Sequence, residues 1–291
     1  KQCATILAAS IFGAVPKREI QEQADFVRAN LAGINDGRRM DLPPCDFGYL
    51  LEEEDEKALC LLSYFAQVAN LTEAQLNEKV SFARRCIEPL GESFWQQLDE
   101  PLRDLYIHEG NGGIEDSEGN IQADFANRYL GGATLHRGSV QEEIRFLTSP
   151  ECIVGMLFCE RMLDCDALFI VGTRQFNNYR GYGRSFAFDG TSDKPRNSIA
   201  LDSLDRRGPQ IAAFDALEHP GDRQYGRELI LRELVKAHAA CLGDPSTRTK
   251  PRSDTGVEVG FASGNWGCGA FGGDPQLKAL LQWLAASAAG R

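Results

Sequence analysis

The chain has 291 residues, of which 43% are hydrophobic and 25% charged, and its formal net charge is −11 at pH 7. This length and composition indicate a globular protein with one large domain or two smaller ones. The acidic balance argues against binding of nucleic acid through a basic surface. No apolar run approaches the roughly 18 residues that a membrane-spanning helix needs, so no membrane partner is predicted.

The first part of the chain, residues 1–107, has the pattern of a helical region. The segments 19–33, 54–69 and 72–87 carry apolar residues at helical spacing. Thr72 and Gln75 are three residues apart, as in a capping box, and this spacing predicts that the third helix begins at that point.

From residue 108 the pattern changes to short β-like runs that alternate with helical ones. The turn-rich segment HEGNGGIEDSEGN leads into this region. The predicted strands are 121–127, 166–172, 184–190, 210–216 and 257–264, and the predicted helices are 141–149, 151–163, 222–243 and 275–290. Such alternation predicts an α/β layer structure around a largely buried sheet, here over residues 108–291.

The nine cysteines form no CxxC pair, and most lie in apolar runs such as ALCLL and LFCERM. This pattern predicts reduced core thiols in the cytosol or the nucleus. The four histidines are scattered, and no histidine and cysteine cluster has the spacing of a zinc site. The sequence therefore predicts no structural metal.

Three glycine-rich stretches, 124–143, 172–185 and 263–274, follow predicted strands, where ligands of α/β sheets usually bind. In the first stretch, Gly131 and Gly132 permit a loop whose N–H groups cradle phosphate. The adjacent Glu142 and Glu143 can diverge around a ligand if they lie at a helix start. The alternative for the two glycines is a simple turn. The alternatives for the glutamates are acids that complement the helix dipole and a capping box of Ser139 and Glu142. Asp124, on a buried strand, is equally well explained as a satisfied core residue.

The other two stretches combine glycines with aromatic side chains. In NWGCGAFGGD, backbone donors can reach a phosphate while the aromatic rings cover a sugar or base, and the following helix N-terminus would favour an anion. Cys268 lacks a local histidine and is interpreted as a small packed residue rather than a nucleophile. Phe176, Tyr179 and Tyr182 of the second stretch are candidate stacking partners for a base, with core or surface positions as the alternative.

Taken together, these stretches resemble the poly(ADP-ribose) glycohydrolase family. The family signature is three glycines, a short spacer and Gln-Glu-Glu; here Gly131–Ala133 is followed after seven residues by Gln141–Glu143. The flanking stretches DFANRYLGG, QEEIRFL and GTRQFNNYRGY are also similar to the family, and GNWGCGAFGGD is its most specific match. The segment LLSYFAQV resembles the accessory region of the family, so the resemblance covers most of the chain.

The resemblance implies an α/β fold: a macrodomain-like mixed sheet flanked by helices, with residues 1–107 as a helical accessory region and 108–291 as the catalytic domain. It implies hydrolysis of the ribose–ribose O-glycosidic bonds of poly(ADP-ribose), carried on modified proteins, to release ADP-ribose without a cofactor or metal. It also implies a nuclear or cytoplasmic protein of the DNA damage response. Endo or exo preference stays open.

By position, the resemblance implies that Glu143 is the catalytic acid/base and that Glu142 and Asp124 bind the ribose side of the scissile bond. Asn127 and Gln141 would orient this site. The two glycine loops would hold the diphosphate, Phe271 would pack on the distal ribose and Tyr182 would contact the adenosine. The implied substrate-binding set is Asn127, Gly131, Gly132, Ala133, Gln141, Tyr179, Tyr182, Asn265, Gly267, Cys268, Gly269, Ala270 and Phe271.

Ala133 departs from the family pattern, because it stands where the third glycine is expected. If that position requires a positive φ, alanine costs on the order of 1 kcal/mol; if φ is negative, alanine is harmless. We expect an active enzyme. A macrodomain that binds ADP-ribose without cutting it and a hydrolase of another ADP-ribose derivative are the competing interpretations.

Overall fold

A computed structural model describes residues 1–12, 40–43, 45–110, 112–193, 201–246 and 259–291. The chain divides into two compact units, each built from several segments. Unit 1 comprises Lys1–Lys79, Tyr129–Arg161 and Thr173–Ser198, and unit 2 comprises Val80–Arg128, Met162–Gly172 and Ile199–Arg291. The boundary near residue 107 remains a prediction.

The sheet of unit 2 has five strands: β1 (Ser81–Cys86), β2 (Ile121–Asp124), β3 (Asp166–Val171), β6 (Gln210–Ala213) and β7 (Phe261–Ala262). Their order is β1-β3-β6-β2-β7; β2 is parallel to β6 and to β7, whereas β3 is antiparallel to β1 and to β6. The helices of this unit are α5 (Glu92–Gln96), α7 (Arg227–Cys241) and α8 (Pro275–Ala288), with short 3₁₀ helices at Ile114–Asp116 and Gly221–Tyr225. The predicted mixed sheet flanked by helices is confirmed.

Small residues allow helix α7 to pack closely on this sheet. Strand β3, sequence DALFIV, is buried along its whole length, as expected of a strand covered on both faces. Alanines of the strands and of α7 meet in one core cluster that also contains Phe169, Phe214 and Trp266; these alanines are Ala123, Ala167, Ala212, Ala237 and Ala240. The cluster also contains Ala216 and Trp266, which lie in the segments that follow β6 and β7.

Unit 1 contains α1 (Gln2–Phe12), α2 (Phe47–Glu53), α3 (Asp55–Val68), α4 (Glu73–Leu76) and α6 (Gln141–Thr148). It also contains 3₁₀ helices at Pro150–Leu157 and Gly183–Ser185 and the hairpin of β4 (Asn177–Arg180) and β5 (Ala187–Thr191). Cys60 of α3, Ile144 and Leu147 of α6, and Phe186 beside the hairpin form a buried cluster. Helices α3 and α6 therefore share one core.

Two of the predicted helices are wrong in part. The Thr72–Gln75 capping box is confirmed, but its helix ends at Leu76 and residues 81–86 form β1 instead. Pairing of β1 with β3 outweighs the local helical pattern there. The predicted helix 151–163 is a 3₁₀ helix that ends at Leu157.

The remaining predicted elements agree with the structure to different extents. Helix 54–69 and the strands predicted at 121–127, 166–172 and 210–216 are confirmed with shorter bounds. Segment 19–33 lies outside the described residues, as does the start of the strand predicted at 257–264, of which Phe261–Ala262 is seen. Within the ranges given above, no helix is both long and apolar enough to cross a membrane.

Candidate active site

The two adjacent glutamates of the sequence signature lie in the first turn of α6. Helix α6 begins at Gln141 after the extended residue Val140, so that Glu142 and Glu143 are its second and third residues. Both side chains are buried, with 2% and 6% of their surface exposed. The Ser139–Glu142 capping box is wrong, because the helix starts one residue later than that interpretation requires. Instead, Glu143 Oε2 accepts the N–H of Val140 at 2.9 Å.

The loop of residues 131–138, called the glycine loop below, supplies one backbone donor to each glutamate. The Gly131 N–H donates to Glu142 Oε1 at 2.6 Å, and the Ala133 N–H donates to Glu143 Oε1 at 3.0 Å. The N–H groups of Gly131 and Ala133, two residues apart in the loop, thus meet side chains that leave adjacent helix positions in different directions. The arrangement explains how both carboxylates can be held at one helix start.

The backbone of the loop requires two glycines and tolerates the alanine. Gly131 and Gly132 have φ of +85° and +48°, in the left-handed region, and a Cβ at Gly131 would lie 2.5 Å from Met156 Sδ. Ala133 is outside the left-handed region, since the described non-glycine residues with positive φ are Asp205 and His219. The methyl group at the third position therefore causes no backbone strain.

Turn hydrogen bonds close the same loop on itself. The Gly132 N–H donates to the Tyr129 carbonyl at 3.1 Å, and the Thr134 N–H donates to the Gly131 carbonyl at 2.9 Å. Four successive N–H groups, from Gly131 to Thr134, thus have acceptors within the protein. The observed role of these donors is to shape the loop and hold the glutamates; the diphosphate contact stays a prediction.

The aromatic residues of the second glycine-rich stretch have different surroundings. Phe176 is wrong as a stacking partner: it is fully buried and meets Tyr64 edge to face at 4.7 Å between ring centroids. Tyr179 and Tyr182 are 38% and 58% exposed. The Tyr179 ring stacks on Phe186 at 6.2 Å.

Tyr182 lies beside the start of α6. Partial burial raises the pKa of Tyr182, a hydrogen bond with the backbone of Gln141 opposes this rise, and the charge of Glu143 adds to it. The Gly183 N–H donates to the Ser139 carbonyl at 2.7 Å. The structure thus brings together Tyr182, Gln141 and Glu143 in unit 1.

In unit 2, the candidate residues lie on loops after the parallel strands. Asp124 is the last residue of β2 and is completely buried, and its carbonyl accepts the Phe214 N–H at 3.2 Å. Asn127 Nδ2 donates to Glu218 Oε1 at 3.2 Å, which links the loops after β2 and β6. Since parallel strands end at one edge of the sheet, these loops are neighbours.

The loop after β7 joins the same edge. Gly267 has φ of +71°, and a Cβ there would lie 2.4 Å from the Ala216 Cβ, so the loop backbone lies directly on the segment after β6. The Phe271 carbonyl accepts the His219 N–H at 2.9 Å. Asn265, Gly269 and Ala270 are exposed, and Gly267, Cys268 and Phe271 are partly buried.

One expectation about this loop is wrong, and one stays a prediction. Trp266 is fully buried, donates from its indole N–H to the Phe214 carbonyl at 2.9 Å and packs on the Phe214 ring, so it is a core residue and covers no ligand. The N-terminus of α8 carries a carboxylate of the protein itself, because Asp274 Oδ1 accepts the Leu277 N–H at 2.7 Å. Burial raises the pKa of Cys268, as expected for a packed thiol.

The sequence patterns above single out neither Lys57 nor Glu218. Lys57 is 1% exposed, and its ammonium contacts the carbonyls of the glycine loop. A signal was present: Lys57 precedes Cys60, Leu61 and Tyr64 at helical spacing and therefore lies on the buried face of α3. A lysine on an apolar stripe is unusual and indicates a special partner.

The family model described as "Poly (ADP-ribose) glycohydrolase (PARG), Macro domain fold" matches residues 92–291. The match and the mixed sheet confirm the expected macrodomain-type fold.

Three named proteins are similar to this chain. "Probable poly(ADP-ribose) glycohydrolase 2" of Arabidopsis thaliana is 34% identical over 99% of this chain and 60% of its own length. "Poly(ADP-ribose) glycohydrolase 1" of the same plant is 34% identical over 84% of this chain and 56% of its own. "Poly(ADP-ribose) glycohydrolase 1" of Caenorhabditis elegans is 37% identical over 61% of this chain and 23% of its own length. The chain spans a little over half the length of the plant relatives.

Proposed function

The chain belongs to the poly(ADP-ribose) glycohydrolase family, and from this we propose that it hydrolyses the ribose–ribose O-glycosidic bonds of poly(ADP-ribose) and releases ADP-ribose. The observation that carries the proposal is the pair of buried glutamates at the start of α6. Each of them is held by a backbone N–H of the signature loop. A reader of ADP-ribose has no need of two buried carboxylates held in this way.

In the proposed mechanism Glu143 is the single acid/base. Its two carboxylate oxygens each accept one backbone N–H, from Ala133 and Val140, which fixes the plane of the group and leaves lone pairs for a proton. Glu143 donates that proton to the leaving ribose oxygen as the glycosidic C–O bond breaks. The resulting carboxylate takes a proton from the water that attacks the anomeric carbon, and the acid is regenerated.

The second glutamate has a different proposed role. Glu142, held by the Gly131 N–H, would accept hydrogen bonds from the ribose hydroxyls while positive charge develops on the anomeric carbon. Most glycosidases use two separated carboxylates, one on each side of the bond. In the proposal one carboxyl group performs both proton transfers. The distance between two carboxylates therefore does not predict whether the reaction retains or inverts the configuration at the anomeric carbon.

The roles of the unit 2 residues are proposed from the family signature. Asp124 and Asn127 would contact ribose, and the loop of Gly267–Phe271 would offer backbone donors to a diphosphate. The positive φ of Gly267 and the exposure of Gly269 and Ala270 support close approach of a ligand to that backbone. Tyr182, more than half exposed, is the proposed contact for the adenosine portion.

Poly(ADP-ribosyl)ated proteins are the proposed macromolecular partners, and the proposed location is the nucleus or the cytoplasm. All nine cysteines lie among the described residues and are free thiols, which supports a reducing compartment. A part in the response to DNA damage is likewise a proposal from family membership.

The test compares two substrates. The protein is incubated with long poly(ADP-ribose) and, separately, with a mono-ADP-ribosylated protein, and released ADP-ribose is quantified by chromatography. We expect ADP-ribose from the polymer and none from the mono-modified protein. Binding of polymer without release would make the chain a reader, and release from the mono-modified protein alone would make it a hydrolase of another ADP-ribose derivative.

A further inference from the structure

Lys57 is a buried lysine in the first turn of α3, a helix of the N-terminal region. Its side chain is 1% exposed, although a buried ammonium is costly unless its donors are satisfied. Burial lowers the pKa of Lys57 from its usual value, and the charges of Glu54 and Glu143 oppose that effect. Burying this ammonium therefore has a desolvation cost that an apolar side chain at the same position would not have.

Backbone carbonyls of residues 133–138 in the glycine loop surround the ammonium. Lys57 Nζ donates to the Thr134 carbonyl at 3.0 Å, lies 3.4 Å from the Ala133 carbonyl, and makes close contacts with the carbonyls of His136 and Gly138. An ammonium has three N–H donors, so four converging carbonyls use all of them. The lysine thus fastens residues 133–138 at several points.

The same stretch of backbone holds the glutamates on its other side. Ala133 is the shared residue: its carbonyl faces Lys57, and its N–H donates to Glu143 Oε1. Two residues earlier, the Gly131 N–H donates to Glu142 Oε1. A movement of the loop away from Lys57 would therefore move both donors.

The two ends of the segment 133–138 lie against each other beside Glu143. A Cβ at Gly138 would lie 2.6 Å from the Ala133 Cβ and 2.9 Å from the Glu143 carboxyl carbon, so the two ends of the loop touch where one of them has no side chain. Burial of Thr134 and Leu135 and the hydrogen bond from Arg137 Nε to Tyr49 OH at 2.6 Å also hold this segment, and the ammonium adds contacts to its backbone carbonyls. The ammonium is the group that binds the most carbonyls there.

We propose that Lys57 is a positioning residue for the reaction: its ammonium clamps the loop of residues 133–138 and thereby aims Glu143, and with it Glu142, at the substrate. The inference rests on the proposed function and extends it to a residue outside the signature. It gives the N-terminal helical region a part in catalysis, through the loop rather than through substrate contact.

The variant Lys57→Met keeps the length of the side chain and removes its donors and charge. Arg174→Met is the matched control, because Arg174 is a buried cation of the same unit that pairs with Glu78 and does not contact the loop. Amide hydrogen exchange of residues 131–138, kcat for polymer hydrolysis and the Kd for ADP-ribose are measured on wild type and both variants. Lys57→Gln, which keeps an N–H donor, replaces the Met variant if that variant does not fold.

We expect the loop amides of Lys57→Met to exchange at least tenfold faster and kcat to fall at least tenfold, with Kd within threefold of wild type. Arg174→Met should change neither the loop exchange nor kcat by more than threefold. Unchanged loop exchange and kcat in the Lys57 variants would overturn the inference, as would an equal loss in the control. Wild-type protein that releases no ADP-ribose would contradict the proposed function alone, because the exchange measurement still reports whether Lys57 holds the loop.

Discussion

The backbone N–H of Ala133 donates to Glu143 Oε1 at 3.0 Å, so the residue that departs from the family signature is bonded directly to the proposed catalytic acid. The departure leaves this bond intact, because Ala133 does not have the left-handed φ that Gly131 and Gly132 have. Its methyl group faces Gly138, where the absence of a side chain leaves room. An alanine is therefore compatible with a fully formed loop.

The first prediction concerns Glu143→Gln. The amide cannot act as an acid/base, so we expect hydrolysis of polymer to fall by at least a factor of 10³ while ADP-ribose binds within a fewfold of wild type. One acceptor oxygen is replaced by an NH₂ group that faces a backbone N–H, which costs about 1–3 kcal/mol of stability. Release of ADP-ribose and binding by calorimetry measure the two effects.

The control for that variant is Glu160→Gln, a surface carboxylate outside the signature, which should leave hydrolysis unchanged. If Glu143→Gln still degrades polymer at a rate close to that of wild type, Glu143 is not the acid/base.

The second prediction concerns Ala133→Gly. Because Ala133 has no strained φ, restoring the glycine of the family pattern should leave turnover within twofold of wild type. The added freedom of the unfolded chain should lower the free energy of unfolding by about 0.4–1 kcal/mol. Denaturant titration and steady-state kinetics check both values. A severalfold gain in turnover would show that the methyl group hinders the loop.

The third prediction concerns Gly131→Ala. Gly131 has φ of +85°, and the new Cβ would lie 2.5 Å from Met156 Sδ, so strain and overpacking should together cost about 2–4 kcal/mol. We expect a lower melting temperature and loss of most turnover, because the Gly131 N–H holds Glu142. Gly91→Ala is the control, since its φ is −75° and no atom lies within 4 Å of the added Cβ. Equal effects of the two alanines would count against a strained loop.

The fourth prediction concerns salt. The protein carries a net charge of −11, so attraction to an anionic polymer must come from local N–H groups and aromatic rings rather than from a general field. We expect the logarithm of the polymer binding constant to fall with the logarithm of salt concentration with a slope of magnitude below about 3, smaller than for proteins that neutralise many phosphates. Fluorescence anisotropy between about 50 and 300 mM salt measures the slope. A slope steeper than about −5 contradicts local recognition.

The periodicity of apolar residues in short segments predicted much of the fold, but it could not predict pairing between strands that are distant in the sequence. Apolar periodicity correctly indicated α3 and the buried strands β2, β3 and β6. It failed for residues 81–86, which have a helical pattern yet form β1, because hydrogen bonds to β3 decide their conformation. The predicted start of α6 at Gln141 is confirmed, and only the alternative with Ser139 as the cap placed the start one residue too early.

The candidate site also has features that the sequence predicted and features that it could not predict. Spacing and residue type predicted the loop and the glutamates, and the structure confirms that Gly131–Ala133 and Glu142–Glu143 lie together. Aromatic residues were less predictable: Phe176 and Trp266 belong to the core, whereas Tyr182 lies beside Glu143. Ring type alone cannot distinguish these positions, since burial depends on neighbours that are distant in the chain.

By itself, the sequence determined the family signature, the α/β character of the chain and the pair of carboxylates, because these depend on residue identity and short spacing. Tertiary structure alone decided that Ala133 is unstrained and that Lys57 meets the loop, 77 residues further along the chain at Thr134. Backbone φ and the partners of a buried charge are fixed by packing between distant segments. A local pattern contains no information about those contacts until the chain has folded.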